Sequence, residues 1–159
     1  MELRIGLGED SHLTAIGGPL RLGGVNVPHD RHLVGHSDAD VLLHAVTDAL
    51  LGAAGLPDIG QLFPNTDEAN RGRDSAQMLR LANERVTAAG WRLVNLDCVV
   101  AAERPKIAPF KEKIIARVAE ILGVDAARVG VKAKTGEGVG PVGREEAIEA
   151  RCVVLLAKG

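Results

Sequence analysis

Tyrosine is absent from these 159 residues, and Trp91, Phe63 and Phe110 are the only other aromatics. Proteins that grip single-stranded nucleic acid stack its bases on aromatic side chains, so this composition argues against that class. A core with so few rings must be built from Leu, Val, Ile and Ala. Charge of one sign is also missing. The formal net charge is −2, which provides no field to steer the chain toward nucleic acid or an anionic membrane. No apolar run is long enough to span a bilayer. The opening stretch MELRIGLGEDSH lacks the basic, apolar and small-residue regions of a signal peptide. Cysteine is limited to Cys98 and Cys152, each inside an apolar run. Buried free thiols in a reducing cytosol follow from that placement more readily than a disulfide. Repeats and low-complexity tracts are absent, and the 19 glycines are spread along loops rather than gathered in a linker. The length suits one domain, 1–159.

What is present is organised around His36 to Gly55, HSDADVLLHAVTDALLGAAG. Ser37 is a good N-cap residue, and Asp40 three positions on resembles the acidic arm of a capping box. Val41, Ala45, Ala49 and Leu42, Val46, Ala53 follow helical spacing, and Gly55 and Pro57 stop the helix. His36 stands at its start and His44 two turns in. Asp40 and Asp48 lie four residues to either side of His44, on its face. A histidine flanked by carboxylates suits a metal ligand whose ring is oriented by its neighbours. From this segment alone, a solvated face with a histidine in a charge pattern is an equal reading.

Leu3 to Gly8 predicts a strand, with Gly6 and Gly8 allowing close backbone approach, that ends in Glu9-Asp10-Ser11-His12. Asp10 and His12 point to one side of an extended segment and can grip one divalent ion, although most Asp-x-His tripeptides are surface loops. Leu20–Leu22 and Val25–Val27 around Gly23-Gly24 predict a hairpin. His29 and His32 follow in a polar loop and are read as solvated. Leu56 to Asp67 is a structured loop rich in proline and polar residues, in which Asp58 caps a turn or binds a hydroxyl. Arg71 and Arg73 lie in an exposed stretch beyond it.

Asp74-Ser75 caps a helix over Ala76 to Ala89, and Trp91 to Ala102 is a half-buried strand with Val94, Leu96, Cys98 and Val100 inward. A helix begins at Pro109 and stops at Gly123, and Val129 to Val131 starts another strand. Lys132 to Arg144 is a glycine-rich loop with Lys, Thr and Arg, suited to phosphate but without the Walker A pattern. Ala147 to Leu156 closes the chain as a strand. The order favours an α+β architecture: a mixed or mostly antiparallel sheet covered on one face by helices. Asp10, His12 and His44 can supply three ligands to a divalent ion with a position left open. With phosphate donors nearby, metal-assisted phosphoryl chemistry is the expectation.

The chain also resembles a known family. The motifs Gly6-x-Gly8-x-Asp10-x-His12, His36-Ser37-Asp38-x-Asp40-x-x-x-His44-x-x-x-Asp48 and Asp58-Ile59-Gly60-x-x-Phe63-Pro64-x-Thr66-Asp67 are similar to those of the 2-C-methyl-D-erythritol 2,4-cyclodiphosphate synthases. Pro105-Lys106, Lys132-Ala133-x-Thr135-x-Glu137 and Gly143-Arg144 continue the match in order, over nearly the whole chain. The resemblance implies a lyase of the non-mevalonate isoprenoid route. It would cyclise 4-diphosphocytidyl-2-C-methyl-D-erythritol 2-phosphate and release CMP.

It also implies a set of site residues. Asp10, His12 and His44 would hold a zinc-type ion, and Glu137 would help a magnesium or manganese ion that bridges the diphosphate. His36 and Thr135 would stabilise the transition state, with Ser11 and Ser37 beside the substrate. Asp58, Ile59, Gly60, Phe63, Pro64, Asn65, Thr66 and Asp67 would form the methylerythritol loop. Ala102, Glu103, Arg104, Pro105, Lys106, Ile107 and Ala108 would form the cytidine pocket. The family is a homotrimer with active sites between subunits, so Lys132 to Glu137 would bridge to an adjacent chain, with Lys134, Thr135, Gly136 and Glu137 as its substrate-binding residues. Lys134 and Gly136 stand where the family often has threonines. Pro141 stands where many members carry phenylalanine, beside Arg144. Some members hold an isoprenoid diphosphate in a central cavity there, and that aromatic element is missing from this sequence.

Two other functions fit the same residues: a non-catalytic trimeric sensor of nucleotides or isoprenoid diphosphates, and a metal-dependent phosphodiesterase. The first would not need the whole reaction apparatus. The second needs a base to activate water, for which only Asp58 and Glu137 offer themselves.

Overall fold

The computed structural model describes residues 1–159. Its elements are β1 (Glu2–Ile16), β2 (Leu20–Leu22), β3 (Val25–Val27), β4 (Arg31–Leu33), α1 (Val41–Ala54), α2 (Ile59–Leu62) and α3 (Ser75–Ala88). Then come β5 (Arg92–Ala101), α4 (Lys111–Leu122), β6 (Val129–Lys134), α5 (Gly140–Gly143) and β7 (Ala147–Lys158). Five strands form one mixed sheet in the order β4-β1-β7-β5-β6, and β2-β3 is a separate hairpin. Only β5 and β6 run parallel; β7 pairs antiparallel with β1 and with β5. The last strand of the chain is thus the middle strand of the sheet. This is the α+β class expected, with the helices packed over one face.

The first strand runs past the expected end at Gly8. Pairing with β7 continues to Leu13 opposite Ala147, and β4 takes over from Thr14 opposite Leu33. Asp10 and His12 therefore lie inside a long strand rather than at its end. β4 includes His32, so the polar loop is shorter than the sequence implies. His29 is not solvated: its side chain is 7% exposed, beside Asp30. His32 is exposed, and its Nδ1 meets the Gly17 carbonyl at 2.7 Å.

The start of α1 also differs. Asp40, not Ser37, is the N-cap, and its carboxylate accepts from Leu43 N at 3.1 Å. The same carboxylate accepts from Gly23 N at 2.9 Å and Gly24 N at 2.7 Å, in the β2–β3 turn. Both glycines have positive φ, +61° and +73°, as a two-residue hairpin turn requires. Asp40 is fully buried and faces this hairpin, so it is not a neighbour of the His44 ring. Burial raises its pKa, against hydrogen bonds from Gly24, Leu43 and Gly23 that favour the anion. Gly55, at φ +70°, ends α1 as expected.

α1 lies directly on β1 because Gly6 and Gly8 have no side chains. A Cβ on Gly6 would stand 2.1 Å from Ala49 O, and one on Gly8 would stand 2.0 Å from Ala45 O. The buried Leu42, Val46, Leu50, Val154 and Leu156 fill one core with the inward side of β5. In β5 a bulge between Leu93 and Asn95 takes Val94 out of the inward series and puts Leu93 in it. Cys98 and Cys152 sit opposite one another on β5 and β7 as buried free thiols. The neighbouring Cys98 thiol and burial both raise the Cys152 pKa, so it stays neutral. The opposite face of the sheet leaves Leu3, Ile5, Leu7 and Val153 exposed.

Candidate active site

Two segments that are distant in sequence converge at the seam between β1 and α1. Strand alternation puts Asp10 and His12 on the same side, and His44, in the first turn of α1, reaches over them. Asp10 Oδ2 lies 2.9 Å from His12 Nε2 and 3.0 Å from His44 Nδ1, and the two ring nitrogens are 3.3 Å apart. A tetrahedral zinc with bonds of about 2.0–2.1 Å places neighbouring ligand atoms about 3.3 Å apart. One carboxylate oxygen and two imidazole nitrogens thus form one face of such a tetrahedron, slightly contracted. They are the one group of three or more His, Cys, Asp or Glu residues arranged to hold a metal ion.

The surroundings prepare the trio for that task. His12 Nδ1 is 2.9 Å from the Val34 carbonyl, so it donates there and leaves Nε2 free. Burial opposes the charge on Asp10, but hydrogen bonds and positive charge from His12 and His44 outweigh it. Asp10 is therefore held well below the ordinary carboxylate range. Burial likewise opposes the charge on His12, yet Asp10 raises its pKa above the usual imidazole value. His44 Nε2, turned away from the trio, meets Ser75 Oγ at 2.8 Å and Ser37 Oγ at 3.2 Å.

The trio opens onto a cleft of about 280 Å³ that His36, Ser37, Asp48, Ile59, Gly60 and Phe63 help to line. Asp48 was expected beside His44. It does share the cleft, but its carboxylate accepts from Ile59 N at 2.9 Å and so fastens α2 to α1. Burial raises its pKa, the Ile59 hydrogen bond opposes this, and the charges of Asp58 and Asp10 add to the rise. Asp58 caps α2 reciprocally with Gln61. The buried Nε2 of His36 has no hydrogen-bond partner, while its carbonyl accepts from Gly72 N at 2.7 Å. A donor or acceptor buried without a partner in a cleft suits a ligand that supplies one.

Two residues not expected here help shape the cleft. Asn70, 4% exposed, donates to the Pro64 carbonyl at 2.9 Å and accepts from Arg73 Nη1 at 2.8 Å. The Arg73 guanidinium lies 4.9 Å from the centre of the Phe63 ring. Arg73 had only the signature of an exposed stretch, and a stacking partner ten residues away leaves no local pattern.

Other expected site residues lie elsewhere. Ser11 turns to the outer side of β1, near Glu149 and Arg151. Thr66 is exposed, and Asp67 caps a short turn through Ala69 N at 3.0 Å. The 102–108 and 134–137 loops are tied to one another: Ala102 N donates to Lys134 O, and Gly136 N donates to Glu103 Oε2, each at 2.9 Å. They do not line the cleft of their own chain. Asp10 aligns with Ala150, then Val100, then Ala133 across the sheet, which is three strand spacings, or about 14 Å. Thr135 and Glu137 are exposed at that far edge. Gly136 has no room for a threonine, because a Cβ would stand 2.4 Å from Gly143 N. Pro141 begins the turn of α5, and Arg144 pairs with Glu146 at 2.8 Å.

A mixed sheet under one layer of helices, with an Asp-His-His trio opening onto a polar cleft, defines an α+β protein with a centre able to hold a metal ion. Residues 3–157 match the YgbB family. The 2-C-methyl-D-erythritol 2,4-cyclodiphosphate synthase of Rhodopirellula baltica is 55% identical over 158 residues, 99% of this chain and 95% of that protein. The synthase of the same name from Gemmatimonas aurantiaca is 56% identical over 146 residues, 92% of this chain and 88% of that one. Among solved structures, a 2C-methyl-D-erythritol-2,4-cyclodiphosphate synthase with CDP bound superposes with a TM-score of 0.89 at 42% identity, covering 97% of this chain and all of that one. The bifunctional IspDF of Campylobacter jejuni superposes at 0.95 and 40% identity over 99% of this chain, which spans 43% of that longer protein. The chain belongs to the YgbB family of 2-C-methyl-D-erythritol 2,4-cyclodiphosphate synthases.

Proposed function

We propose that this chain cyclises 4-diphosphocytidyl-2-C-methyl-D-erythritol 2-phosphate to 2-C-methyl-D-erythritol 2,4-cyclodiphosphate and releases CMP. The observation that carries the proposal is the Asp10–His12–His44 trio at the mouth of a cleft whose other walls are the His36-Ser37 turn and the α2 loop. Asp10, His12 and His44 would hold a zinc-class ion, which when bound would draw charge from the diphosphate. His36 Nε2 and Thr135 stabilise the charge that develops on the phosphoryl group, and Ser37 holds a neighbouring oxygen. Asp58, Ile59 and Gly60, with the loop from Phe63 to Asp67, seat the methylerythritol. The 2-phosphate then faces the β-phosphorus, and holding the two groups in line supplies much of the rate.

The far-edge loops suit a second chain. A gap of about 14 Å across the sheet is more than one diphosphate bridges, so Thr135, Glu137 and the cytidine loop 102–108 would serve a neighbour's cleft. The apolar outer face at Leu3, Ile5, Leu7 and Val153 supplies a surface for that assembly, in keeping with a homotrimer. Glu137 would help hold a magnesium or manganese ion, which would offset charge on the diphosphate. Residues 1–159 would act as one catalytic domain in the cytoplasm. No helix is long and apolar enough to cross a membrane, and both cysteines are free.

Phosphorus NMR with the cytidyl substrate, zinc and magnesium tests this reaction. The expected result is two coupled signals of a cyclic diphosphate together with CMP. CMP with a linear bisphosphate would identify a hydrolase, and no turnover would identify a sensor. His44→Ala is expected to abolish zinc binding and nearly all turnover without changing the assembly state. Unchanged metal stoichiometry in that variant would refute the ligand assignment.

A further inference from the structure

We propose that Ser75 and Asp38 are positioning residues for the metal centre, acting on His44 through a two-link hydrogen-bond relay. The proposal rests on the reading of Asp10, His12 and His44 as metal ligands. His44 can offer Nδ1 to an ion only if its ring proton sits on Nε2. That N–H is turned into protein and needs an acceptor there, because a buried donor left without one is costly. Ser75 Oγ, 2.8 Å away on a fully buried residue, is that acceptor. A hydroxyl can also donate toward an imidazole, which would leave the proton on the wrong nitrogen. Asp38 removes this ambiguity. Its Oδ1 is in close contact with Ser75 Oγ, and a carboxylate only accepts, so the serine proton points to Asp38 and the serine lone pairs face His44.

Asp38 is itself held from several sides. It accepts from Asp40 N at 3.1 Å and from Ser75 N at 3.1 Å, and Arg21 Nε stands 4.0 Å away. The relay therefore runs from the turn before α1, through the first residue of α3, to the ring over the cleft. It is separate from the capping of α3, which Asp74 performs through Ala76 N at 2.9 Å. Ser75 could therefore lose its hydroxyl without uncapping the helix. Ser37 Oγ is a second acceptor at 3.2 Å, but it also accepts from Ala39 N and lines the cleft, where a ligand competes for it. Ser75 keeps the ring in place when Ser37 is occupied.

The test uses zinc alone, with no substrate, on the full chain. Zinc affinity is measured by competition with a chromophoric chelator for wild type, Ser75→Ala, Asp38→Asn and the double variant. Losing the partner of a ligating histidine typically weakens metal binding about 10–100-fold, and that is the expected loss in each single variant. The double variant should lose no more than Ser75→Ala, because Asp38 acts through Ser75. Melting of the metal-free variants separates this from a merely structural role, which would lower melting temperature and leave affinity alone.

A second readout needs no variant. Nitrogen-15 NMR of the zinc-loaded wild type should show the His44 Nε2 proton exchanging slowly with solvent. Single variants that bind zinc within twofold of wild type, fully additive losses, or a fast-exchanging Nε2 proton would each overturn the relay. If His44→Ala abolishes binding while Ser75→Ala and Asp38→Asn bind zinc within twofold of wild type, the metal centre stands and the relay alone falls. Failure of the wild type to bind zinc would overturn both.

Discussion

Replacing Gly8 by alanine adds one methyl group at the place where α1 touches β1. That Cβ would stand 2.0 Å from Ala45 O and 2.6 Å from Ala49 N, both backbone atoms with no rotamer to change. Ordinary contact begins at 3.4 Å, so α1 must retreat by about 1.4 Å. Ala45 follows His44 directly, and Gly8 is two residues before Asp10, so the retreat opens the trio itself. The edges of 3.0 and 3.3 Å from His44 would stretch to about 4 Å or more, beyond what one zinc can bridge. Overpacking of this kind costs about 1–3 kcal/mol, with the upper end expected because two rigid backbone groups are struck. Urea denaturation of the metal-free protein reads the stability, and chelator competition reads the zinc affinity, which should fall by more than about tenfold. Gly52→Ala is the matched control. It lies on the exposed side of the same helix with nothing within 4 Å of a new Cβ, and should gain about 0.5–1 kcal/mol. A Gly8→Ala protein that unfolds and binds zinc like wild type would refute the claim that this glycine sets the height of α1 over the strand.

Asp40→Ala strips the partner from three backbone N–H groups, those of Gly23, Gly24 and Leu43, and should cost about 2–4 kcal/mol in urea denaturation. Asn at this position, which keeps one acceptor oxygen, should lose less, and a larger loss in Asn than in Ala would contradict the assignment. In the metal-free protein, Asp10 raises the His12 pKa above 6.5, so the folded state binds the proton more tightly than the unfolded chain. That contribution is fully present below 6.5 and is lost as pH rises through the raised folded value. Asp10, held low, stays ionised throughout this window and adds no slope. Zinc needs the neutral ring, so the zinc-induced rise in melting temperature should grow from about pH 6 to pH 8. Melts with zinc and with a chelator across that range check it, and a constant increment would be the contrary result.

Features governed by neighbours in sequence were legible before the fold was known. The Gly23-Gly24 turn, the stops at Gly55 and Gly123, the cap at Asp74 and the pairing of Asp10 with His12 on one side all follow from local geometry. The close approach at Gly6 and Gly8 was legible as well, since only the absence of a side chain permits it. The start of α1 is not decided locally, because Ser37 and Asp40 both suit an N-cap. The choice was made by the β2–β3 turn, which offers two further N–H groups to Asp40 alone. The length of β1 and the existence of β4 were hidden because a strand extends as far as it has partners, and those partners are β7 and the residues around His32.

The metal trio shows the same division. Its members were readable as residue types in motifs, and their periodicity assigned each to one side of its own element. Their meeting within 3.3 Å depends on α1 lying flush on β1, and the relay from Asp38 through Ser75 depends on α3 starting beside the turn that precedes α1. By itself the sequence determined helix and strand periods, the turn glycines and the list of ligating side chains, because each is decided by atoms a few residues apart. Only the tertiary structure decided that β7 occupies the middle of the sheet, that Asp40 serves the hairpin rather than His44, and that the strand leading to Thr135 stands about 14 Å across the sheet from Asp10. Those outcomes are set by burial of the whole core, which no local pattern records.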